Sequence, residues 1–246
     1  MIISEKLFSR LDAEDLKKDD EQLLLFKIIK AYSFNYSNKH LLYKLLTGYN
    51  SNSILKIGLE VQPLTKRHNE GNTNLDLAMG NIQQRINTTS GIELGNSNDS
   101  FLFCEAKWSS DISYGVKYCT IRNQLQRVIE TALTFPNSSD FNGQIFVTLL
   151  TPELHKINFL DKINSRFYGY KYDEYLNNPT STFLKEIRSN EISTKLPFKD
   201  NKYDKIVENN LKKLCLNWVT IEELIKNIPD KNLSNEIKNL YEEFSK

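Results

Sequence analysis

The tripeptide Glu105-Ala106-Lys107, which follows the apolar run 101–104, carries residue types that can support hydrolysis of a phosphodiester. Alternate residues of a β-strand project from the same face, so we expect the Glu105 carboxylate and the Lys107 ammonium to lie side by side. A second acid, Asp76, lies in segment 74–78, which also alternates like a strand, so we expect Asp76 to point away from the face that Leu75 and Leu77 bury. Two carboxylates and a lysine on one sheet face can hold a divalent metal ion against a phosphate.

The surrounding residues distinguish this tripeptide from other matches to the same pattern. The chain contains four acid-x-lysine triplets, which begin at Asp15, Glu105, Asp200 and Glu236. The first and last lie in segments with helical spacing, where residues two apart do not face each other, and the third lies in a charged loop. Only Glu105 follows four apolar residues, as a buried strand requires. The alternative is that Glu105 and Lys107 emerge at a solvated strand end.

The elements that would position these residues follow from hydrophobic periodicity. We predict helices over 20–46, with a break near 35–38, then strands over 54–61, 74–79 and 101–107, a helix over 120–135 and a strand over 143–150. The order αβββαβ favours an α/β fold with a mixed central sheet flanked by helices.

The chain changes character after Pro152. Weaker helical segments follow, with one short strand predicted over 216–219, and Thr220 opens a capping box. We therefore divide the chain into a core, 1–151, and a mostly helical C-terminal extension, 152–246, packed on it. The extension is expected to serve target recognition or dimerisation, or only to cover the core.

The strand that ends in Glu105-Ala106-Lys107, the upstream Asp76 and the αβββαβ order together resemble the PD-(D/E)XK nuclease superfamily, which has a restriction-endonuclease-like core. The resemblance covers roughly residues 20 to 151. Leu75 stands where the superfamily places a proline before the aspartate. The resemblance implies a phosphodiester hydrolase that works without a covalent intermediate.

The resemblance also implies roles for individual residues. Asp76 and Glu105 would bind Mg²⁺, with Mn²⁺ as a substitute, and the backbone carbonyl of Ala106 would be a third ligand. Lys107 would orient the attacking water or stabilise transition-state charge. Gln124, on the helix face that points toward the sheet, matches a glutamine that similar nucleases place beside the metal; the alternative is a buried structural amide.

Glu60 ends the first predicted strand and is a further candidate. It could supply another metal-binding carboxylate or serve a second metal. The alternative is an ordinary solvent-facing strand residue. Glu70 and Asn72 precede the Asp76 strand, and for these a turn-forming role is favoured.

Basic residues that flank the motif strands are the candidates for contact with nucleic acid. Such contacts position the phosphate backbone without reading its sequence. For each residue the alternative is a solvated surface charge. The candidates are Lys66, Arg67, Arg85, Lys117 and Arg122.

Composition restricts the class of protein. The chain has 246 residues, of which 39% are hydrophobic and 26% charged, and its net charge is +1, so no bulk positive field marks a nucleic-acid binder. No apolar run approaches the length of a membrane span, and the N-terminus lacks a signal-peptide pattern. Three widely spaced cysteines indicate reduced thiols and a cytoplasmic protein, and they lack metal-ligand spacing with the histidines, which argues against zinc.

The leading hypothesis is a Mg²⁺-dependent endodeoxyribonuclease of restriction or defence type. DNA is the expected partner, with RNA less favoured, and a homodimer would suit a cut through both strands of a duplex. One alternative is a nuclease of DNA repair or recombination. Others are a non-catalytic nucleic-acid-binding or assembly module of the same fold, and an α/β protein in which the tripeptide is coincidental.

Overall fold

The computed structural model describes residues 1–3, 21–64, 73–95, 99–112, 123–136, 138, 140–163, 165–188 and 201–244. Its strands are β1 (Ile2–Ile3), β2 (Lys56–Pro63), β3 (Leu75–Gly80), β4 (Ile82–Gln84), β5 (Gly91–Leu94), β6 (Phe101–Ala106), β7 (Ile145–Thr151) and β8 (Leu214–Thr220). Its α-helices are α1 (Glu21–Tyr32), α2 (Tyr36–Thr47), α3 (Gln124–Thr134), α4 (Glu153–Leu160), α5 (Phe167–Asn177), α6 (Lys185–Arg188), α7 (Asn201–Leu211), α8 (Ile221–Lys226) and α9 (Lys231–Phe244). A π-helical turn over Pro179–Leu184 precedes α6.

The described strands form one mixed sheet in the order β4-β5-β2-β3-β6-β7-β8, with β1 paired to β2. Strands β2, β3 and β6 form an antiparallel meander, and β6, β7 and β8 are parallel. The predicted α/β class, with a mixed sheet flanked by helices, is confirmed. Each of the four predicted core strands is present, and its ends lie within two residues of the prediction.

A small hairpin, β4–β5, lies between β3 and β6, in an interval that contains none of the predicted strands. Its strands have three and four residues, which is too short for a period-two pattern to be recognised. Strand β5 pairs in parallel with the carboxyl end of β2, Gln62 being opposite Gly91. The hairpin thus extends the sheet beside the end of β2.

Helices cover both faces of the sheet. Residues of α1, α2, α8 and α9 share one buried apolar cluster with Leu77 and Leu102. Residues of α3, α5 and α7 share a second cluster with Phe101 and Phe103. Because both faces are covered, β7 is buried along its whole length, and this explains its nearly continuous apolar sequence.

The C-terminal extension contributes a strand to this sheet. Strand β8, which contains the predicted segment 216–219, pairs with β7 along its entire length, from Leu214 to Thr220. Thr220 caps α8 as predicted, since its hydroxyl accepts a hydrogen bond from the Glu223 amide at 3.2 Å, which is one of the two bonds of a capping box. Within the described ranges, no helix combines the length and the apolar character needed to cross a membrane.

Candidate active site

The two predicted acids meet at one end of the β3–β6 pairing. Leu77 lies opposite Cys104 in this antiparallel ladder, so the next positions along it are Asp76 and Glu105. The Ala106 amide donates a hydrogen bond to Asp76 Oδ2 at 2.7 Å, which fixes that carboxylate against β6. The fold therefore brings together two acids that are distant in the sequence.

Lys107 completes this group. Its Nζ lies 2.8 Å from Glu105 Oε1, as the strand periodicity predicts. Glu105 is 3% exposed and Lys107 8%, so the pair does not lie at a solvated strand end. The Lys107 amide donates to the Leu150 carbonyl at 2.9 Å and extends the β6–β7 pairing by one residue. The lysine is thus held on rigid backbone beside the acids.

Burial and the neighbouring charges together set the pKa of the Asp76 carboxyl. Burial raises the pKa of the Asp76 carboxyl well above its usual range, and repulsion from Glu105 adds to this. Attraction from Lys107 and the hydrogen bond from the Ala106 amide act in the opposite direction. Negative charge at Asp76 is therefore incompletely compensated by the protein.

The electrostatics of Lys107 define what this residue can do. Burial lowers the pKa of its ammonium, but the carboxylates of Glu105 and Asp76 outweigh burial and hold the pKa above its usual range. Lys107 is therefore a cation at neutral pH. It can donate hydrogen bonds and stabilise negative charge, but it cannot accept a proton from water.

Glu60 lies near the same end of the sheet, in an unusual backbone conformation. Its φ is 50°, a region that non-glycine residues rarely adopt. Leu59 and Val61, on either side, pack into different core clusters, so the alternation of β2 changes at this residue. The charge of Glu60 contributes to the raised pKa of Asp76. The structure thus places Glu60 near the acids, and its role as a metal ligand stays a prediction.

The two leucines beside Asp76 do not follow the strand alternation that the sequence predicts. Leu75 and Leu77 were expected to point to one face, with Asp76 opposite. Instead Leu77 packs into the α1–α2 cluster and Leu75 into the α3 cluster. That argument was wrong in detail, because the period of two is interrupted here, where Asp76 lies opposite Glu60 with its positive φ.

Glu21, the first residue of α1, is a member of the group that the sequence pattern did not reveal. Its Oε1 accepts a hydrogen bond from the Trp108 amide at 3.1 Å, directly after Lys107. Burial raises the pKa of the Glu21 carboxyl, and repulsion from Glu105 and Glu60 adds to this. Attraction from Lys107 and the hydrogen bond from the Trp108 amide act in the opposite direction. The only available signal was an acid in the first turn of an amphipathic helix, which usually reflects the helix dipole.

Gln124 is the first residue of α3 and is half-buried. Asn123 caps this helix, since its side chain accepts a hydrogen bond from the Gln126 amide at 2.8 Å. One turn beyond Gln124, Arg127 Nε donates to the Thr73 hydroxyl at 2.9 Å, which ties this helix to the segment that leads into β3. The helix therefore approaches the Asp76 strand, and a direct role for Gln124 in the site stays a prediction.

Of the five basic candidates, the structure describes Arg85. This half-buried residue lies in the β4–β5 hairpin, where its amide donates to the Gly91 carbonyl at 2.9 Å, beside the end of β2. Its contact with nucleic acid stays a prediction. Lys66, Arg67, Lys117 and Arg122 lie outside the described residues, as do Glu70 and Asn72.

The donor set fits a hard divalent cation. Carboxylates and a backbone carbonyl are the ligands that Mg²⁺ and Mn²⁺ prefer, and Mg²⁺ retains several waters. A cation would also relieve the uncompensated charge that raises the pKa of Asp76. No group of three or more His, Cys, Asp or Glu side chains among the described residues is arranged to hold a metal ion. The residues that would hold a metal here are Asp76 and Glu105, with the Ala106 carbonyl and water.

Comparison of the chain with models of protein families, with curated proteins and with solved structures finds no significant match.

Proposed function

We propose that this protein is a divalent-metal-dependent endonuclease that hydrolyses phosphodiester bonds in DNA, of restriction or defence type, with a PD-(D/E)XK catalytic group. One observation carries the proposal. Asp76 lies opposite Glu105 at the end of a buried ladder, and Lys107 Nζ lies 2.8 Å from the Glu105 carboxylate. Two acids can hold a metal ion, and this ion and the ammonium of Lys107 can stabilise the negative charge that develops on a phosphoryl group during transfer.

The topology around the site supports the same proposal. An antiparallel meander, β2–β3–β6, is followed by α3 and by the parallel strand β7, which is the chain order that carries part of the resemblance. The group lies at the carboxyl end of β6, and ligands of open α/β sheets bind beyond the carboxyl ends of strands. The β4–β5 hairpin is an insertion in this order that leaves the site strands adjacent.

The residues present define the chemistry of the site. A bound Mg²⁺ or Mn²⁺ would polarise the phosphate and lower the pKa of a bound water. Asp76, Glu105 and the Ala106 carbonyl would hold the ion. Lys107, which is a cation at neutral pH, would orient the attacking water or stabilise charge on the phosphoryl oxygens. Glu21 fixes the backbone directly after Lys107 and so limits the positions that its side chain can reach. Cleavage of both strands of a duplex would require two such sites, as in a homodimer.

The proposal predicts metal-dependent cleavage that requires the acidic group. Purified protein is incubated with supercoiled plasmid and with genomic DNA of high sequence complexity, in Mg²⁺, Mn²⁺ or EDTA. We expect cleavage with either metal and none in EDTA, and a loss of at least about 100-fold in Asp76→Ala and Lys107→Ala. The matched control is Asp161→Asn, since Asp161 is an exposed carboxylate at the end of α4.

Two outcomes would contradict the proposal. One is cleavage that survives both substitutions or the presence of EDTA, which would indicate a contaminating nuclease or another site. The other is intact genomic DNA after incubation of folded wild-type protein with either metal, which would favour a non-catalytic module.

A further inference from the structure

Asp111 lies four residues after Lys107, in the segment that leaves β6. Its Oδ1 accepts hydrogen bonds from the amides of Ile112 at 2.8 Å and Tyr168 at 3.2 Å, and its Oδ2 accepts one from the Phe167 amide at 2.7 Å. Phe167 and Tyr168 are the first two residues of α5. A carboxylate of the core therefore caps a helix of the C-terminal extension.

Helix α5 has no cap from its own sequence. Arg166 occupies the N-cap position, and its side chain makes no capping hydrogen bond. The amides of a first helical turn have no partner within the helix, so an acceptor from outside satisfies them. A negative charge at this end also interacts favourably with the helix dipole. The contact therefore stabilises both α5 and the segment that carries Asp111.

The capped turn lies on the face of the sheet toward which the catalytic group projects. Ile112 and Tyr168 belong to the same buried cluster as Phe103 of β6. Alternate residues of a strand share a face, so Glu105 and Lys107 project to the side of Phe103. Asp111 thus connects the end of the catalytic strand to a helix that covers the same face.

The register of the sheet places this turn close to Lys107. In the parallel β6–β7 pairing, the residue beside Lys107 is Thr151. The Thr151 hydroxyl accepts a hydrogen bond from Trp218 Nε1 at 2.8 Å. The Trp218 ring packs edge-on against the Tyr168 ring, with 5.9 Å between their centroids. Two side-chain contacts therefore join the first turn of α5 to the strand position next to the lysine.

The backbone that follows Lys107 is held from both faces of the sheet. On one face, Glu21 of α1 accepts a hydrogen bond from the Trp108 amide at 3.1 Å. On the other face, Asp111 binds the amides of α5. Acids at the two ends of segment 108–112 thus tie it to two separate helices. A shift of the backbone from which the Lys107 side chain extends would break one of these contacts.

We propose that Asp111 is a positioning residue of the catalytic group, which holds the backbone of Lys107 in place through α5. This role rests on the proposed nuclease function, which gives Lys107 its reaction. It makes the C-terminal extension a part of the active site. Asp111 does not touch the substrate. It acts through the precision with which Lys107 meets the scissile phosphate, where a displacement of about 1 Å can cost about 100-fold in rate.

Steady-state cleavage of DNA by Asp111→Ala and Asp111→Asn tests this role. Alanine removes all three acceptor contacts, so we expect kcat to fall by about tenfold or more while KM for DNA stays within about twofold. Asparagine keeps one acceptor oxygen and caps helices about as well as aspartate, so its kcat should stay within about threefold of wild type. An unchanged kcat in Asp111→Ala, or an equal loss in both variants, would overturn the positioning role.

Asn35→Ala is the matched control for the loss of a helix cap. Asn35 Oδ1 accepts a hydrogen bond from the Asn38 amide at 2.8 Å at the start of α2, at the far end of α1 from Glu21. We expect both alanine variants to lower the urea midpoint of unfolding, and only Asp111→Ala to lower kcat. An equal loss of kcat in Asn35→Ala would reveal a general effect of stability and would contradict a specific role of Asp111.

Amide hydrogen exchange separates this role from the nuclease proposal, because it requires neither DNA nor metal. In Asp111→Ala, the Lys107 and Trp108 amides should exchange about tenfold faster than in wild type, and the Phe103 amide of the same strand at an unchanged rate. Selective acceleration in a protein that never cuts DNA would support the positioning of Lys107 by Asp111 while the nuclease proposal fails. Unchanged exchange at Lys107 and Trp108, or an equal increase at Phe103, would overturn that positioning even in a protein that cuts DNA.

Discussion

Replacing Asp76 by asparagine will move activity and stability in opposite directions. Asparagine keeps an oxygen that can accept the hydrogen bond from the Ala106 amide, but it removes the negative charge. DNA cleavage should fall by at least about 100-fold, since a ligand and a charge are lost from the site. The free energy of unfolding at neutral pH should rise by on the order of 1 kcal/mol, because a poorly compensated carboxylate is removed.

The effect on stability depends on pH in a defined direction. Burial and Glu105 raise the pKa of Asp76, so the folded protein retains this proton to a higher pH than the unfolded chain does. The contribution of Asp76 to the free energy of unfolding therefore decreases as pH rises from about 4, the ordinary pKa of an aspartate, through the raised pKa. The advantage of Asp76→Asn should be absent below about pH 4 and complete above the raised pKa.

Urea unfolding of the metal-free protein between pH 4 and pH 8 measures this effect. Asp161→Asn serves as the control and should follow the wild type at every pH. Lower stability of Asp76→Asn at neutral pH would show that the carboxylate is a structural partner rather than a strained functional group.

Lys107→Met should be strongly destabilising as well as inactive. The Lys107–Glu105 pair is buried, so removing the ammonium leaves a carboxylate without its partner in a low-dielectric environment. We expect a loss of roughly 3 kcal/mol in the free energy of unfolding at pH 7, as is typical when one member of a buried pair is removed.

A double variant separates the loss of charge from the loss of packing. In Glu105→Gln/Lys107→Met neither charge of the pair remains, so most of the lost stability should return while cleavage stays absent. Urea unfolding of the two single variants and the double variant gives the coupling energy. Additive losses in the double variant would mean that the two side chains do not stabilise each other.

The sequence predicts the strands of the site well because their signals are local. The apolar run before Glu105 marks a buried strand, and its alternation places Glu105 and Lys107 on one face, where they form an ion pair. The continuous apolar run of β7 likewise reflects burial on both faces. Both strands are determined by residues that are neighbours in the sequence, so the hydrophobic periodicity of the sequence is enough to predict them.

Other parts of the site depend on tertiary structure and leave little trace in the pattern. Glu21 joins the group because α1 packs across the sheet and its first residue reaches the Trp108 amide. The altered alternation at Glu60 and Asp76 coincides with the positive φ of Glu60, which single-strand periodicity does not reveal. The place of the extension's strand also emerges only from the fold, since β8 pairs in parallel with β7 along its whole length.

The most direct test of the central claim, that Asp76 and Glu105 hold one divalent cation, is calorimetric titration of metal-free protein with Mn²⁺ in the absence of DNA. This measurement does not depend on a recognition sequence. The wild type and Asp161→Asn should bind one ion per chain with equal affinity, and Asp76→Asn should bind at least about tenfold more weakly, because ligand carboxylates dominate the affinity for hard cations. Equal Mn²⁺ affinity in wild type and Asp76→Asn, or no binding by the wild type, would contradict the account.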